Sequence, residues 1–234
     1  MQLLRFAWVK FPDGLQQQII EKLHVSESKT GKIFGDPTNP LLVSVRSGAP
    51  ISMPDMMDTV LNLGLNDRTL QGLIRQTSNE RFSYDAYRRF VQMFGKVVLG
   101  VKGEKFESII RKHKDRLNVR SDVELDAKTL ATMVHEFKEL VKQETGQVFP
   151  EEPVTQLYMA IAAVFQSWNG HRAVVYREAN KIPDDLGTAV NIQAMVFGNM
   201  GPDSAPESAS QGIHPPANLP SSGNFSSTLK ARTL

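Results

Sequence analysis

The chain has 234 residues, of which 41% are apolar, so it can bury the core of one large domain or two small ones. Its formal net charge of +2 is too small to indicate a nucleic-acid partner, and the absence of cysteine excludes disulfides and thiolate chemistry. No apolar run reaches the roughly 18 residues that a membrane span needs. This composition favours a soluble, cytoplasmic protein.

The first predicted elements are a short helix and a buried strand. Gly14 to Leu23 has the pattern of a helix, and the turn-rich segment Lys29 to Pro40 connects it to the strand Leu41 to Val45. Arg46, Ser47 and Gly48 follow the strand directly. A guanidinium beside small residues suits phosphate, because it binds phosphate bidentately and glycine lets the main chain approach. The alternative is an ordinary exposed loop with a solvated arginine, and the residue types alone favour that alternative.

The middle of the chain is predicted to be helical. Apolar residues recur at helical spacing from Tyr87 to Val101 and again from Leu130 to Val141. Asp126 is placed to cap the second of these helices, and Gly146 to end it. A third helix is predicted to begin near Pro153, a favourable residue for a first turn.

Two further segments complete the predicted organisation. Thr188 to Phe197 is almost continuously apolar and β-rich, which predicts a strand buried on both faces. Pro206 to Leu234 is rich in proline and serine and poor in large apolar residues, so we expect it to be disordered. The sequence therefore predicts an α+β domain with a helical insert between strands, followed by a disordered tail.

The remaining titratable residues give no catalytic pattern. The histidines do not stand at metal-ligand spacing, and His113 lies in a charged run that predicts a solvated helix face. The carboxylate pair Glu151-Glu152 is expected at a helix start, and Asp184-Asp185 in a proline-containing turn. We assign no chemistry to any of them.

Three long strings resemble the nucleotide-binding domain of the pyruvate, phosphate dikinase family. They are DPTNPLLVSVRSGAPISMPDMMDTVLNLGLND (36–67), RFSYDAYRRFVQMFG (81–95) and VFQSWNGHRAVVYREANKIPDDLGTAVNIQAMVFGNMG (164–201). The resemblance covers residues 11–205 in order and leaves residues 1–10 poorly matched. It implies part of an ATP-grasp fold, in which two subdomains hold ATP, with a helical subdomain at about residues 82–168. With this resemblance, the phosphate interpretation of Arg46 becomes the favoured one.

The resemblance also implies a reaction. In this family ATP with Mg²⁺ phosphorylates a histidine on a separate swivelling domain, and phosphate takes part and leaves as pyrophosphate. The phosphohistidine then converts pyruvate to phosphoenolpyruvate in a third domain. Full-length members form homo-oligomers.

Six positions match residues that bind ATP in the family: Arg46 for the phosphates, Met57 and Thr59 in a loop that folds over the nucleotide, and Gln193, Met195 and Val196 in a strand that meets adenine. Ser47 and Gly48 complete the predicted ATP and phosphate site, on the chemistry of the strand end given above.

Several family features are not matched. The glycine-rich segment with its phosphate-binding lysine, the magnesium carboxylates and the acceptor histidine lie outside the matched segment, so no catalytic residue is assigned here. Asp55 stands where the family has glycine, which brings a negative charge to the phosphate loop. We therefore expect this chain alone to bind ATP weakly or not at all and to be inactive.

The tail has a specific interpretation. With suitable codons, shifting the reading frame of residues 206–234 by one base gives a peptide that resembles the family's next segment. We infer a one-nucleotide frameshift near Ala205, which would make the chain a truncated dikinase. The alternatives are a non-catalytic binding or regulatory module and a pseudogene product without function.

Overall fold

The computed structural model describes residues 11–200 and residue 204. The predictions for residues 1–10 and for the tail from Pro206 to Leu234 lie outside the described residues. The chain divides into two compact units, residues 1–195 and 196–234, and all helices and strands given below belong to the first.

In the described part of the first unit, six consecutive α-helices separate the first four strands from the last one. The elements are α1 (Leu15–Thr30), β1 (Ile33–Phe34), β2 (Pro40–Leu41), β3 (Val43–Gly48), β4 (Thr59–Leu63), α2 (Asp67–Thr77), α3 (Glu80–Val97), α4 (Gly103–Leu117), α5 (Ala127–Thr145), α6 (Pro153–Ser167), α7 (His171–Asn180) and β5 (Ala189–Ala194). Short 3₁₀ helices span Asp122–Glu124 and Asp184–Leu186. The mixture of helix and sheet confirms the α+β class.

The described residues form two small sheets. β1 and β2 pair in parallel, whereas β4, β3 and β5 form an antiparallel sheet with β3 in the centre. Val43 and Val45 of β3 are fully buried, as is Val60 of β4. The pairing of β3 with β4 is irregular between Val43 and Val45, opposite a segment in which Asn62 has a φ of 59°. This bulge changes which β4 residues share the face of Arg46.

The prediction that the last strand is buried on both faces is wrong. Within the described residues β5 pairs only with β3, so it forms an edge of the sheet. Ala189, Asn191, Gln193 and Ala194 are exposed. An apolar run predicts a strand, but burial depends on whether neighbours flank it on both sides.

Helix boundaries follow the capping residues. The side chain of Asp126 accepts the N–H of Thr129 at 2.7 Å at the start of α5, and Gly146 ends that helix with a φ of 72°. Pro153 is the first residue of α6, as predicted. α1 runs beyond the predicted Leu23 to Thr30, where Gly31 ends it in the left-handed conformation.

The helical insert has its own aromatic core. Phe149 contacts Phe90 and Phe94 of α3 edge-on, with ring centres 5.7 and 5.4 Å apart. Phe106 of α4 and Phe137 of α5 meet at 5.0 Å. These contacts pack α3 against the segment between α5 and α6, and α4 against α5. No helix among the described residues combines the length and apolar character required to cross a membrane.

The prediction of a solvated face at His113 is wrong, because this side chain is only 2% exposed. His113 continues the buried stripe of Phe106 and Ile110 at helical spacing, and the charged neighbours in the sequence mask that stripe. Its Nδ1 atom accepts from Arg116 at 3.0 Å, since arginine only donates, and Nε2 donates to Glu136 at 2.8 Å.

Candidate functional site

The end of β3 brings Arg46 to the middle of the three-stranded sheet. Arg46 lies opposite Thr59 of β4 and opposite Asn191 of β5. Residues that pair across strands point to the same face, so these three side chains form a row. Arg46 is exposed, and no carboxylate among the described residues pairs with its guanidinium. The row therefore offers an available cation flanked by a hydroxyl and an amide.

Gly48 lies two residues after Arg46 on the same face of β3. A Cβ atom at this position would come within 3.1 Å of Nδ2 of Asn191, closer than ordinary van der Waals contact. Glycine therefore leaves the main chain of this strand end accessible beside the amide. Ser47 pairs with Val190 and points to the opposite face.

The loop of residues 49–58 joins β3 to β4 and contains the predicted Met57, which is half-buried. Met53 is buried, and its carbonyl oxygen accepts the N–H of Met56 at 3.2 Å. Asp55 has a φ of 62°, in the left-handed region that glycine adopts most readily. The backbone at Asp55 thus has the conformation that would favour the glycine implied by the family resemblance.

Asp58 follows Met57 and ties this loop to two helices. Its N–H donates to Oγ of Ser167 at 3.1 Å, and its carboxylate accepts from Nη2 of Arg172 at 3.2 Å. Burial raises the pKa of Asp58 above its usual 3.8, while the positive charges of Arg172 and Lys96 oppose that rise. Sequence reasoning missed this arrangement, because Asp58, Lys96 and the segment with Ser167 and Arg172 are far apart in the chain.

The predicted adenine strand pairs with β3. Gln193 lies opposite Ser44 and is exposed. The N–H of Met195 donates to the carbonyl oxygen of Leu42 at 2.8 Å, so the pairing continues one residue past β5. Val196 is the first residue of the second unit, and 90% of its surface is exposed.

The sheet brings predicted residues from three separate segments onto neighbouring strands. Arg46 and Thr59 form a direct pair, and Gln193 lies one strand away, whereas Met57 lies in the loop. Asn191 was missed in the sequence. It stands two residues before Gln193, so strand alternation already indicated that both face the same side.

The residues around Arg46 fit the phosphates of ATP. A guanidinium binds phosphate oxygens bidentately, and the absent side chain at Gly48 leaves room for them beside Asn191. In the part of the chain that the structure describes, no group of three or more His, Asp or Glu side chains is arranged to hold a metal ion.

A separate groove of about 260 Å³ lies between α2, α3 and α5. Tyr84, His135 and Lys138 are among its lining residues, and none of the eight predicted ATP-binding residues is. Lys138 bridges Asp67 and Glu151, with Nζ to carboxylate distances of 2.8 and 2.7 Å. The groove is therefore polar and distinct from the Arg46 row.

A strand end with an exposed arginine and a glycine has the chemistry to hold phosphate, and comparison with known proteins gives the family. The sequence model for the pyruvate phosphate dikinase AMP/ATP-binding domain matches residues 5–218. The chain belongs to this family. The match extends beyond residues 11–205, the range of the resemblance, and includes residues 206–218 of the tail.

Curated relatives agree with that assignment. Pyruvate, phosphate dikinase of Giardia intestinalis is 52% identical over 194 residues, covering 83% of this chain and 22% of the relative. The Rhizobium meliloti enzyme is 50% identical over 194 residues, with the same two coverages of 83% and 22%. Pyruvate, phosphate dikinase 1, chloroplastic, of Arabidopsis thaliana is 50% identical over 200 residues, covering 86% and 21%. The chain spans about a fifth of the length of these relatives.

Proposed function

We propose that the chain forms part of the ATP-binding domain of a pyruvate, phosphate dikinase, with an ATP-grasp fold, and that the Arg46 end of β3 binds the phosphates of ATP. The observation that carries this proposal is the row of Thr59, Arg46 and Asn191 on three adjacent strands. Gly48 supports it, because a side chain there would crowd the Asn191 amide, with the Cβ atom 3.1 Å from Nδ2.

The role of this row is positioning and charge neutralisation. Bound ATP supplies the phosphoryl group. The Arg46 guanidinium donates hydrogen bonds to phosphate oxygens and offsets their negative charge, while the Thr59 hydroxyl and the Asn191 amide fix their orientation. Ser47 and Gly48 contribute main-chain N–H groups at the strand end. Positioning and electrostatics are the main protein contributions to phosphoryl transfer.

The adenine end of the site is proposed along β5 and just beyond it. Gln193, Met195 and Val196 are the residues that the family resemblance assigns to adenine. Met57, in the loop that precedes β4, is proposed to cover the nucleotide. Because β3 and β5 are paired, the phosphate contacts and those of Gln193 and Met195 would share one rigid support.

In the whole enzyme, the proposed reaction interconverts ATP, phosphate and pyruvate with AMP, pyrophosphate and phosphoenolpyruvate through a phosphohistidine. Mg²⁺, its ligands and the acceptor histidine would come from segments beyond the described residues, in a homo-oligomer. A cytoplasmic location is also proposed, although the Arabidopsis thaliana relative is named chloroplastic. With Arg46 as the single assigned phosphate cation, we expect weak binding of ATP by this chain alone.

Two assays test the proposal. Calorimetric titration with Mg·ATP measures binding, and we expect a dissociation constant well above the micromolar range. Formation of AMP from ATP, phosphate and pyruvate measures the chemistry, and we expect none from the isolated chain. Turnover by the chain alone would contradict the assignment of the remaining catalytic groups to other segments.

A non-catalytic binding module is the alternative, and the groove lined by Tyr84, His135 and Lys138 is the observation that favours it. A ligand in that groove would bind without contacting Arg46. Mapping which residues respond to added Mg·ATP separates the two functions, since the groove and the Arg46 row share no residue.

A further inference from the structure

Asp58 occupies a position between two residues assigned to the nucleotide. Met57 precedes it in the loop, and Thr59, which lies opposite Arg46, follows it as the first residue of β4. Any movement of Asp58 is therefore transmitted through single peptide bonds to both neighbours.

Three helices converge on this residue. Ser167, at the end of α6, holds its main chain through the 3.1 Å hydrogen bond from the Asp58 N–H. Ser167 is itself buried, and its hydroxyl donates to the carbonyl oxygen of Val164 at 2.7 Å, so the anchor has a fixed direction. Arg172 of α7 holds the carboxylate at 3.2 Å, and Lys96 of α3 adds positive charge.

The ion pair alone contributes little, because the Arg172 side chain is 64% exposed, but the Asp58 side chain is only 32% exposed. Its carboxylate is partly removed from water, which raises the pKa of Asp58, and the two cations compensate that cost. Ser167 accepts the hydrogen bond from the N–H of the same residue, so both the main chain and the carboxylate of Asp58 are held. Two anchors on one residue restrict the loop more than either alone.

We propose that Asp58 is a positioning residue of the nucleotide site, which fixes Met57 and Thr59 by linking the 49–58 loop to α6 and α7. This inference rests on the proposed function, since it concerns the same site. Asp58 does not bind phosphate, because its carboxylate would repel it. It acts through Arg172, whose charge is directed to the loop rather than to the nucleotide.

The competing account gives Arg172 and Lys96 the role of direct phosphate ligands, with Asp58 as a competitor for their charge. The two accounts predict opposite effects of Asp58→Asn. Loss of a positioning residue weakens Mg·ATP binding, by roughly three- to tenfold. Loss of a competitor strengthens it.

The test follows amide shifts of the full chain on titration with Mg·ATP, because shifts report weak binding. Asp58→Asn and Arg172→Met are measured singly and together. Glu144→Gln is the matched control, because Glu144 and Lys105 form a similarly exposed ion pair between α4 and α5. Amide hydrogen exchange of residues 56–60 without nucleotide provides a second readout, and it depends on loop anchoring alone.

We expect Asp58→Asn to weaken affinity and to speed exchange at residues 56–60, while Glu144→Gln changes neither. We expect Arg172→Met to add little to Asp58→Asn, because both remove the same link. Unchanged or tighter binding in Asp58→Asn, or full additivity of the two substitutions, would overturn the proposal.

Failure of the proposed function has a different signature. If wild-type chain gives no shifts at Arg46 with Mg·ATP, the nucleotide site itself is refuted. Amide hydrogen exchange of residues 56–60 then tests the anchoring role of Asp58 without nucleotide. Faster exchange at residues 56–60 in Asp58→Asn supports the anchoring role, and unchanged exchange overturns it.

Discussion

The guanidinium of Arg177 lies over the indole ring of Trp168, with its central carbon 4.2 Å from the ring centre. Arg177 also donates to Oδ1 of Asp184 at 2.7 Å and to the carbonyl oxygen of Trp168. The indole N–H in turn donates to the carbonyl oxygen of Asp184 at 3.1 Å. This cluster joins α6, α7 and the turn that leads into β5. It therefore fixes the start of the segment whose strand, β5, pairs with the strand that contains Arg46.

We expect Arg177→Met to lower the free energy of unfolding by about 2 to 3 kcal/mol, because it removes a buried cation and leaves the Trp168 carbonyl without a donor. Urea denaturation measures the change. Arg75→Met is the matched control, since Arg75 is exposed and, among the described residues, its side chain donates to the Pro37 carbonyl alone. An equal loss in both variants would contradict the role given to the cluster.

A second prediction concerns Asp55 and its φ of 62°. Alanine is unfavourable in the left-handed region, whereas glycine adopts it freely. We therefore expect Asp55→Ala to be less stable than Asp55→Gly by about 1 kcal/mol. Thermal or urea unfolding of both variants measures this difference. If Asp55→Ala were the more stable of the two, the left-handed conformation at this position would be refuted.

The parts of the fold that sequence predicted correctly depend on local interactions. Asp126, Gly146 and Pro153 mark helix ends through capping and backbone preferences that act within one turn. The strand that contains Arg46 was recognisable from its apolar run, but its predicted bounds, Leu41 to Val45, were wrong, because β3 runs from Val43 to Gly48 through pairing with β5. The helix-end signals need no knowledge of the rest of the chain.

The parts that were missed depend on contacts between distant segments. The last strand was predicted to be buried because it is apolar, but its place at the sheet edge depends on pairing. The partners of Asp58 and the register that brings Asn191 beside Arg46 likewise arise from tertiary packing. His113 was misassigned because charged neighbours in the sequence obscure its burial.

A third prediction concerns the buried ion pair of α3. Arg88 and Asp85 are 2% and 5% exposed, and Nη2 lies 2.8 Å from Oδ1. Arg88→Met leaves Asp85 paired with the more exposed Arg89, so we expect a loss of about 3 kcal/mol in the free energy of unfolding. Lys105→Met, which removes an exposed ion pair, should cost less than about 1 kcal/mol. Similar costs for both variants would contradict this view of the α3 pair.

A fourth prediction concerns pH. Hydrogen bonds from the Thr38 hydroxyl, and then from the N–H groups of Asn39 and Thr38, lower the pKa of Asp36 below its usual 3.8. Hydrogen bonds from the hydroxyl and N–H of Thr129 similarly lower the pKa of Asp126. A lowered folded-state pKa gives stability that is present above pH 3.8 and is lost as pH falls through the folded pKa.

We therefore expect the free energy of unfolding to fall on acidification below pH 3.8, and to fall less steeply in the double variant Asp36→Asn, Asp126→Asn. Unfolding curves recorded across this range measure the slope. Asp115→Asn, at an exposed carboxylate of α4, is the control. If the free energy of unfolding fell with pH as steeply in the double variant as in wild type, Asp36 and Asp126 would not be the cause of the acid destabilisation.

The central claim is that ATP binds at the row formed by Thr59, Arg46 and Asn191, and one titration tests it directly. Amide shifts of the chain are followed on addition of Mg·ATP, in wild type, in Arg46→Ala and in the exposed control Arg68→Ala. We predict shifts confined to residues 46–48, 57–59 and 191–196. The affinity for Mg·ATP obtained from these shifts should fall about tenfold or more in Arg46→Ala and stay unchanged in Arg68→Ala. The claim would be contradicted if the shifts appeared instead at the groove of Tyr84, His135 and Lys138, or if the affinity were unchanged in Arg46→Ala.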